Sequence, residues 1–113
     1  MILIIRERAT HQQLKEMLKQ WFVLIKIVVD IEREILAGGS EKHHECEEEL
    51  LLDGSRQRDL WGGDWNPYTQ KIAFESIINI RPSQNNRSME IQSSEIRERV
   101  TQVTVRLLGG LNA

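Results

Sequence analysis

Apolar and polar residues alternate with two different periods along the chain, and the changes of period divide it into elements. Leu14, Met17, Leu18, Trp21 and Phe22 fall at i, i+3, i+4, i+7 and i+8, with Lys15, Glu16 and Lys19 off the stripe, which predicts an amphipathic helix. Thr10 and Gln13 ahead of it make a capping box: the Thr hydroxyl takes the third helical amide while Gln13 reaches back. From Val23 the period drops to two. Val23, Ile25, Ile27, Val29 and Ile31 face one way and Lys26, Asp30 and Glu32 the other, which predicts a strand. Ile35-Leu36-Ala37 is its return strand through a turn near Arg33-Glu34, ended by Gly38-Gly39-Ser40, and Ile2 to Arg6 is a short β-prone edge.

The second half is less regular. Glu47 to Asp53 has a charged start, then Leu50-Leu51-Leu52, then the turn signal Asp53-Gly54-Ser55. Strand is the first reading there, with helix as the alternative. Leu60 to Asn66 predicts a short strand that bulges at Gly62-Gly63 and stops at Pro67. Ile72 to Arg81 alternates most cleanly, with Ile72, Phe74, Ser76, Ile78 and Ile80 on one face and Ala73, Glu75, Ile77, Asn79 and Arg81 on the other, up to Pro82. Ser83 to Gln92 has no period and reads as loop. Ser93 can cap a last helix with Ile96, Val100, Val103 and Leu107 in a stripe. The β-branched run from Val100 to Val105 opposes it, but stripe and cap outweigh propensity. The sum is one domain over residues 1–113 of the α+β class. Its mostly antiparallel sheet has four or five strands, with the N-terminal and C-terminal helices packed on one face.

Composition narrows the class. A 113-residue chain with 40% apolar and only 5% aromatic residues builds one mainly aliphatic core. Cys46 is the single cysteine, so no intrachain disulfide forms. The first residues lack a basic run before an apolar core, and the apolar run from Trp21 is broken at Lys26. That is short of the roughly 20 residues of a spanning helix. A cytoplasmic location off the membrane is expected. The net charge of −2 hides a division: residues 1–29 carry +3, 30–64 carry −7 and 79–113 carry +2. An acidic middle disfavours broad nucleic-acid binding, leaves room for a local anion site at the ends, and suits self-association.

Candidate chemistry is sparse. His43-His44-Glu45-Cys46-Glu47-Glu48-Glu49 has ligand types a transition metal takes. On a strand His43, Glu45 and Glu47 stand about 7 Å apart from one to the next and do not converge. On a helix His43/Glu47 and His44/Glu48 pair at i, i+4, but no HExxH or two-cysteine motif is present. A solvated acidic segment is the simpler reading, and no metal is expected. Carboxylates around Cys46 would raise its pKa, so it is taken as structural. The glycine pairs match no nucleotide loop, and no cofactor is expected. Trp61 and Trp65 could make a stacking platform, though core or subunit packing is the plainer role. The richest polar stretch runs from Asn79 and Arg81 through Pro82 to Asn86 and Arg87, with no carboxylate between residues 76 and 89. On an extended strand residues 79 and 81 project from one face about 7 Å apart. With Arg87 returning nearby, this set could hold a small anionic ligand or an acidic protein partner.

These residues also carry a resemblance. Val28-Val29-Asp30-Ile31-Glu32, Asp53-Gly54-Ser55 with Asp59-Leu60-Trp61-Gly62, and Ile78-Asn79-Ile80-Arg81-Pro82-Ser83 with Asn86-Arg87-Ser88 resemble a small family of uncharacterised bacterial proteins, a domain-of-unknown-function family of about this length. The resemblance spans nearly the whole chain and implies a single intact domain. A histidine before the acidic stretch corresponds in it to His44, and the doubled Gly62-Gly63 departs from it.

Three functions stay open: a binding module built on Asn79, Arg81, Asn86 and Arg87 with His44 and Trp61; an interaction subunit acting through a homodimer; and, least favoured, a small metal- or acid/base-dependent enzyme using His43 and His44. The homodimer is expected because two helices leave one face or edge of such a sheet uncovered.

Overall fold

The computed structural model describes residues 1–112. In chain order it contains β1 (Leu3–Ile5), α1 (His11–Leu18), β2 (Ile25–Asp30), β3 (Ile35–Gly38), α2 (His43–Leu52), β4 (Leu60–Asn66), β5 (Lys71–Ala73) and α3 (Ser94–Leu108). Short 3₁₀ turns lie at Gln57–Asp59, Ile77–Asn79 and Pro82–Gln84. The five strands form one antiparallel sheet in the order β1-β3-β2-β4-β5.

Local chemistry fixes the predicted elements. Thr10 Oγ1 accepts from Gln13 N at 3.1 Å and Gln13 Oε1 accepts from Thr10 N at 3.0 Å, the capping box in full. Ser93 caps α3 by accepting from Ile96 N. The β2–β3 turn is held by Asp30, whose Oδ1 accepts from the amides of Glu32 and Arg33. Glu34 closes that turn at φ +57.

Both faces of the sheet are covered. Ile25, Ile27, Val29, Leu36, Trp61 and Trp65 pack with Leu14, Met17 and Leu18 of α1 and Val100, Val103, Leu107 and Leu108 of α3. The two terminal helices thus share one face, as expected. On the other face Val28, Ile35, Ala37 and Leu60 pack with Cys46 and Leu50 of α2. The segment read first as a strand is this helix, so the bare sheet face that motivated a homodimer does not exist. Helix wins because its Glu and Leu residues are strong helix formers. Its buried side is the narrow i, i+3, i+7 stripe His43, Cys46, Leu50, which holds only one aliphatic residue. The end of α2 is a Schellman motif: Ser55 N donates to Leu50 O at 2.9 Å and Gly54 N to Leu51 O at 3.1 Å, with Gly54 at φ +104.

Three further expectations are corrected. α1 stops at Leu18, and Trp21 and Phe22 lie outside it and exposed. β4 pairs with β2 without interruption from Leu60 to Trp65, so its glycines form no bulge. They permit close approach instead: a Cβ on Gly62 would lie 2.6 Å from that of Ser76. β5 ends at Ala73, and residues 74–81 leave the ladder because polar side chains replace it. Ser76 Oγ accepts from Ile78 N, and the Asn79 amide pairs with both backbone groups of Gly62, accepting from N at 2.8 Å and donating to O at 3.0 Å. Asn79 therefore stands in for a strand residue.

Candidate functional site: a cleft at the start of α2

The residues chosen from sequence fall into two groups. Asn79, Arg81 and Asn86 come together, but as a buried structural knot. Asn86 Nδ2 donates to Asn79 O at 2.8 Å, and Asn86 Oδ1 accepts from Gln92 N at 2.8 Å. Arg81 and Asn86 exchange backbone bonds, N–H to O, of 2.5 and 3.0 Å. Arg81 Nε donates to Ile78 O, Nη1 to Gln57 O and Gln84 Oε1, and Nη2 to Leu60 O. Nη2 also lies 3.8 Å from Glu47 Oε2. Four of the five guanidinium N–H groups are thus taken within the chain, and the buried side chain faces Glu47 in place of an external anion. Burial pushes the Arg81 pKa down while Glu47 holds it up.

Trp61 is fully buried, with the Arg81 guanidinium 4.5 Å above its ring. Trp65 is buried as well. Neither offers a stacking platform. Arg87 is exposed, and its backbone N–H donates to Gln92 Oε1. The geometry of one extended strand face, on which the anion site was drawn, is absent, since Asn79 and Arg81 lie in consecutive tight turns.

A different place gathers chemistry. A cleft of about 350 Å³ opens where α2 begins, at the low end of the roughly 300–1,000 Å³ of small-molecule sites. Its polar walls are Lys26 and Asp64, register partners on β2 and β4, together with Lys42, His43 and His44 at the start of α2. Glu41 and Glu75 add two carboxylates, and the exposed Ile77 and Met89 make an apolar lip. His43 is only 8% exposed. Its Nε2 lies 2.8 Å from Gly63 O and 3.2 Å from Asp64 Oδ1. A carbonyl only accepts, so Nε2 carries the proton, and in the neutral ring Nδ1 keeps the lone pair. Asp64 Oδ1 is itself buried and makes no hydrogen bond of good geometry.

The sequence offered His44 for ligand binding and both histidines for the enzyme alternative; His44 lines the cleft and is exposed, while the held one is His43. The signal for its buried position lay in the helical stripe His43 shares with Cys46 and Leu50, which crosses into the segment read as a strand from Glu47. Cys46 faces the core, and burial pushes its thiol up to about 11. No group of three or more His, Cys, Asp or Glu side chains converges as a metal site among the described residues.

An α+β domain with helices on both faces of an antiparallel sheet and a mixed-charge cleft at one helix start is the class of protein these features define. Residues 3–107 match the model of the family described as "Protein of unknown function (DUF5674)", and the chain belongs to that family. No curated protein and no solved structure gives a significant match. No helix is long and apolar enough to cross a membrane among the described residues.

Proposed function

We propose that this protein is a small binding module that takes a zwitterionic small molecule into the cleft at the start of α2. The observation that carries the reading is the mixture of fixed charges around one concavity. Lys26 and Lys42 line it together with Glu41, Asp64 and Glu75, so an ion of a single sign meets repulsion as well as attraction. A ligand with separated ammonium and carboxylate groups satisfies both sets. In this reading Lys26, Lys42 and His44 take the carboxylate, Asp64 and Glu75 take the ammonium, and Ile77 and Met89 cover an apolar side chain. His43 holds the cleft floor through Gly63 and Asp64.

Binding is favoured over catalysis because the hydroxyl and thiol nearest the cleft are engaged or hidden. Ser76 and Cys46 are both buried. A cytoplasmic setting suits a chain whose one cysteine forms no intrachain disulfide.

The test is a titration of isotopically labelled protein with free L-amino acids, sodium acetate and an alkylammonium salt, followed by amide chemical shifts. Saturable shifts at His43, His44, Asp64 and Ser76 with the amino acids alone, lost in Asp64→Asn, are expected. Equal responses to acetate, or no localised response, would remove the reading.

A further inference from the structure

Away from the cleft, two exposed surfaces of opposite character stand unexplained. The first follows α1. Trp21, Phe22 and Val23 are 43, 71 and 59% exposed, and Phe22 sits at φ +64, a left-handed conformation that is strained for a bulky L-residue. The turn is held nonetheless, by Phe22 N donating to Leu18 O at 2.7 Å and by the Tyr68 hydroxyl donating to Phe22 O at 3.2 Å. Its result is a concavity of about 250 Å³ between Phe22 and Tyr68 on one side and Lys15, Leu18 and Lys19 on the other.

The second surface is the outer side of α2. Glu45, Glu48 and Glu49 are exposed, and Leu52, at i+7 from Glu45 on the same stripe, is 84% exposed. An apolar side chain that bare is anchored beside Asp53, which Arg6 and Arg33 grip at 2.5 and 2.7 Å.

We infer that these two surfaces are made for each other in neighbouring copies of this chain. Leu52 of one copy enters the groove between Phe22, Tyr68 and Leu18 of the next, and Glu48 and Glu49 lie over Lys15 and Lys19. Lys19 rests on Glu16 at 2.9 Å in the single chain, an exposed pair weak enough to exchange. Charge complementarity names the occupant, since the acidic-apolar ridge that fits the basic-aromatic groove lies on the same chain. The concave form of the groove favours an inserted side chain over a wedge entering lipid. Because α1 and α2 cover opposite sheet faces, the contact is heterologous and propagates head to tail.

Sedimentation velocity on the full chain over a rising concentration series tests this independently of the cleft. Growth of the weight-average sedimentation coefficient with concentration is expected, weakened by salt. Leu52→Asp and Phe22→Asp should each abolish it, and Asp tolerates the left-handed backbone at position 22. Mixed in equal amounts, the two variants should give dimers that grow no further, because each keeps one intact half of the contact. The double reversal Lys15→Glu/Lys19→Glu should stay monomeric alone and associate when mixed with Glu48→Lys/Glu49→Lys. A wild-type chain that stays monomeric throughout, association surviving in either single variant, or a mixture that stays monomeric would overturn the inference.

Discussion

At Arg81 the chain buries a charge and engages it with groups of its own. Its planar fork donates to three backbone carbonyls and one amide oxygen, Glu47 Oε2 lies 3.8 Å from Nη2, and its face lies on Trp61. Removing the side chain strands the Gln57 and Leu60 carbonyls and leaves Glu47 without its cation. Arg81→Ala should therefore cost about 3–5 kcal/mol of stability in urea denaturation, and Arg81→Lys should recover only a minor part, because an ammonium cannot reproduce the fork. A loss under about 1 kcal/mol for the alanine variant would mean an ordinary surface arginine. Asn79 is the neutral counterpart. Asn79→Asp still accepts from Gly62 N but cannot donate to Gly62 O, and about 1–3 kcal/mol should be lost for the orphaned carbonyl. Cys46, its thiol raised to about 11 by burial first and by Glu45 and Glu49 after it, should react with a thiol reagent at neutral pH only as fast as the chain opens. Rapid labelling of the native protein would contradict that.

Among the elements, α2 is fastened at both ends by different means. At its start the Ser40 hydroxyl accepts from Lys42 N and donates to Glu45. At its close Asp53 joins the helix to Arg6 beyond β1 and to Arg33 in the β2–β3 turn. Hydrogen bonds from those two guanidinium groups hold the Asp53 pKa down at about 2. A carboxylate with a depressed folded pKa contributes stability that is fully present above its ordinary pKa near 4 and lost as pH falls through its folded value. The melting temperature should thus fall between about pH 4 and pH 2 more steeply in the wild type than in Asp53→Asn, with the two converging at the acid end. Parallel curves would show that the clip adds nothing.

The same elements explain what was legible beforehand. Caps and stripes are local, so Thr10, Ser93 and the β2–β3 hairpin could be read directly. α2 could not, because its buried stripe consists of a histidine, a cysteine and one leucine. The alternation from Ile72 to Arg81 is real in sequence, but the chain leaves the ladder at Ala73 because Asn79 supplies the pairing from a side chain. A long-range bond between residues 62 and 79 leaves no periodic trace. In the three motifs Asp53, Trp61, Asn79, Arg81 and Asn86 serve as structural joints, and none of them lines the cleft. The cleft drew on positions 26, 43, 64 and 75, which no motif links in sequence.

On the scale of the molecule, a sheet clothed on both faces changes what assembly is for. Val28, Ile35, Ala37 and Leu60 would be bare without α2, and a partner would then be a condition of folding. Cys46 and Leu50 cover them within the one chain, so the core is complete before any second copy arrives. A head-to-tail contact through Leu52 and Phe22 joins molecules already folded and leaves both core clusters untouched. Even so, association of folded chains raises apparent stability by mass action once the concentration reaches the dissociation constant of the contact. The urea midpoint of the wild type should accordingly rise with concentration over the range in which its sedimentation coefficient grows, while that of Leu52→Asp stays at the value of the dilute wild type. In contrast, Leu50→Ala, which opens a hole in the α2-side cluster, should lower stability by about 2–5 kcal/mol at every concentration. A Leu52→Asp chain already unfolded without urea would show instead that the fold depends on its neighbour, and that α2 is held in place from outside as well as from within.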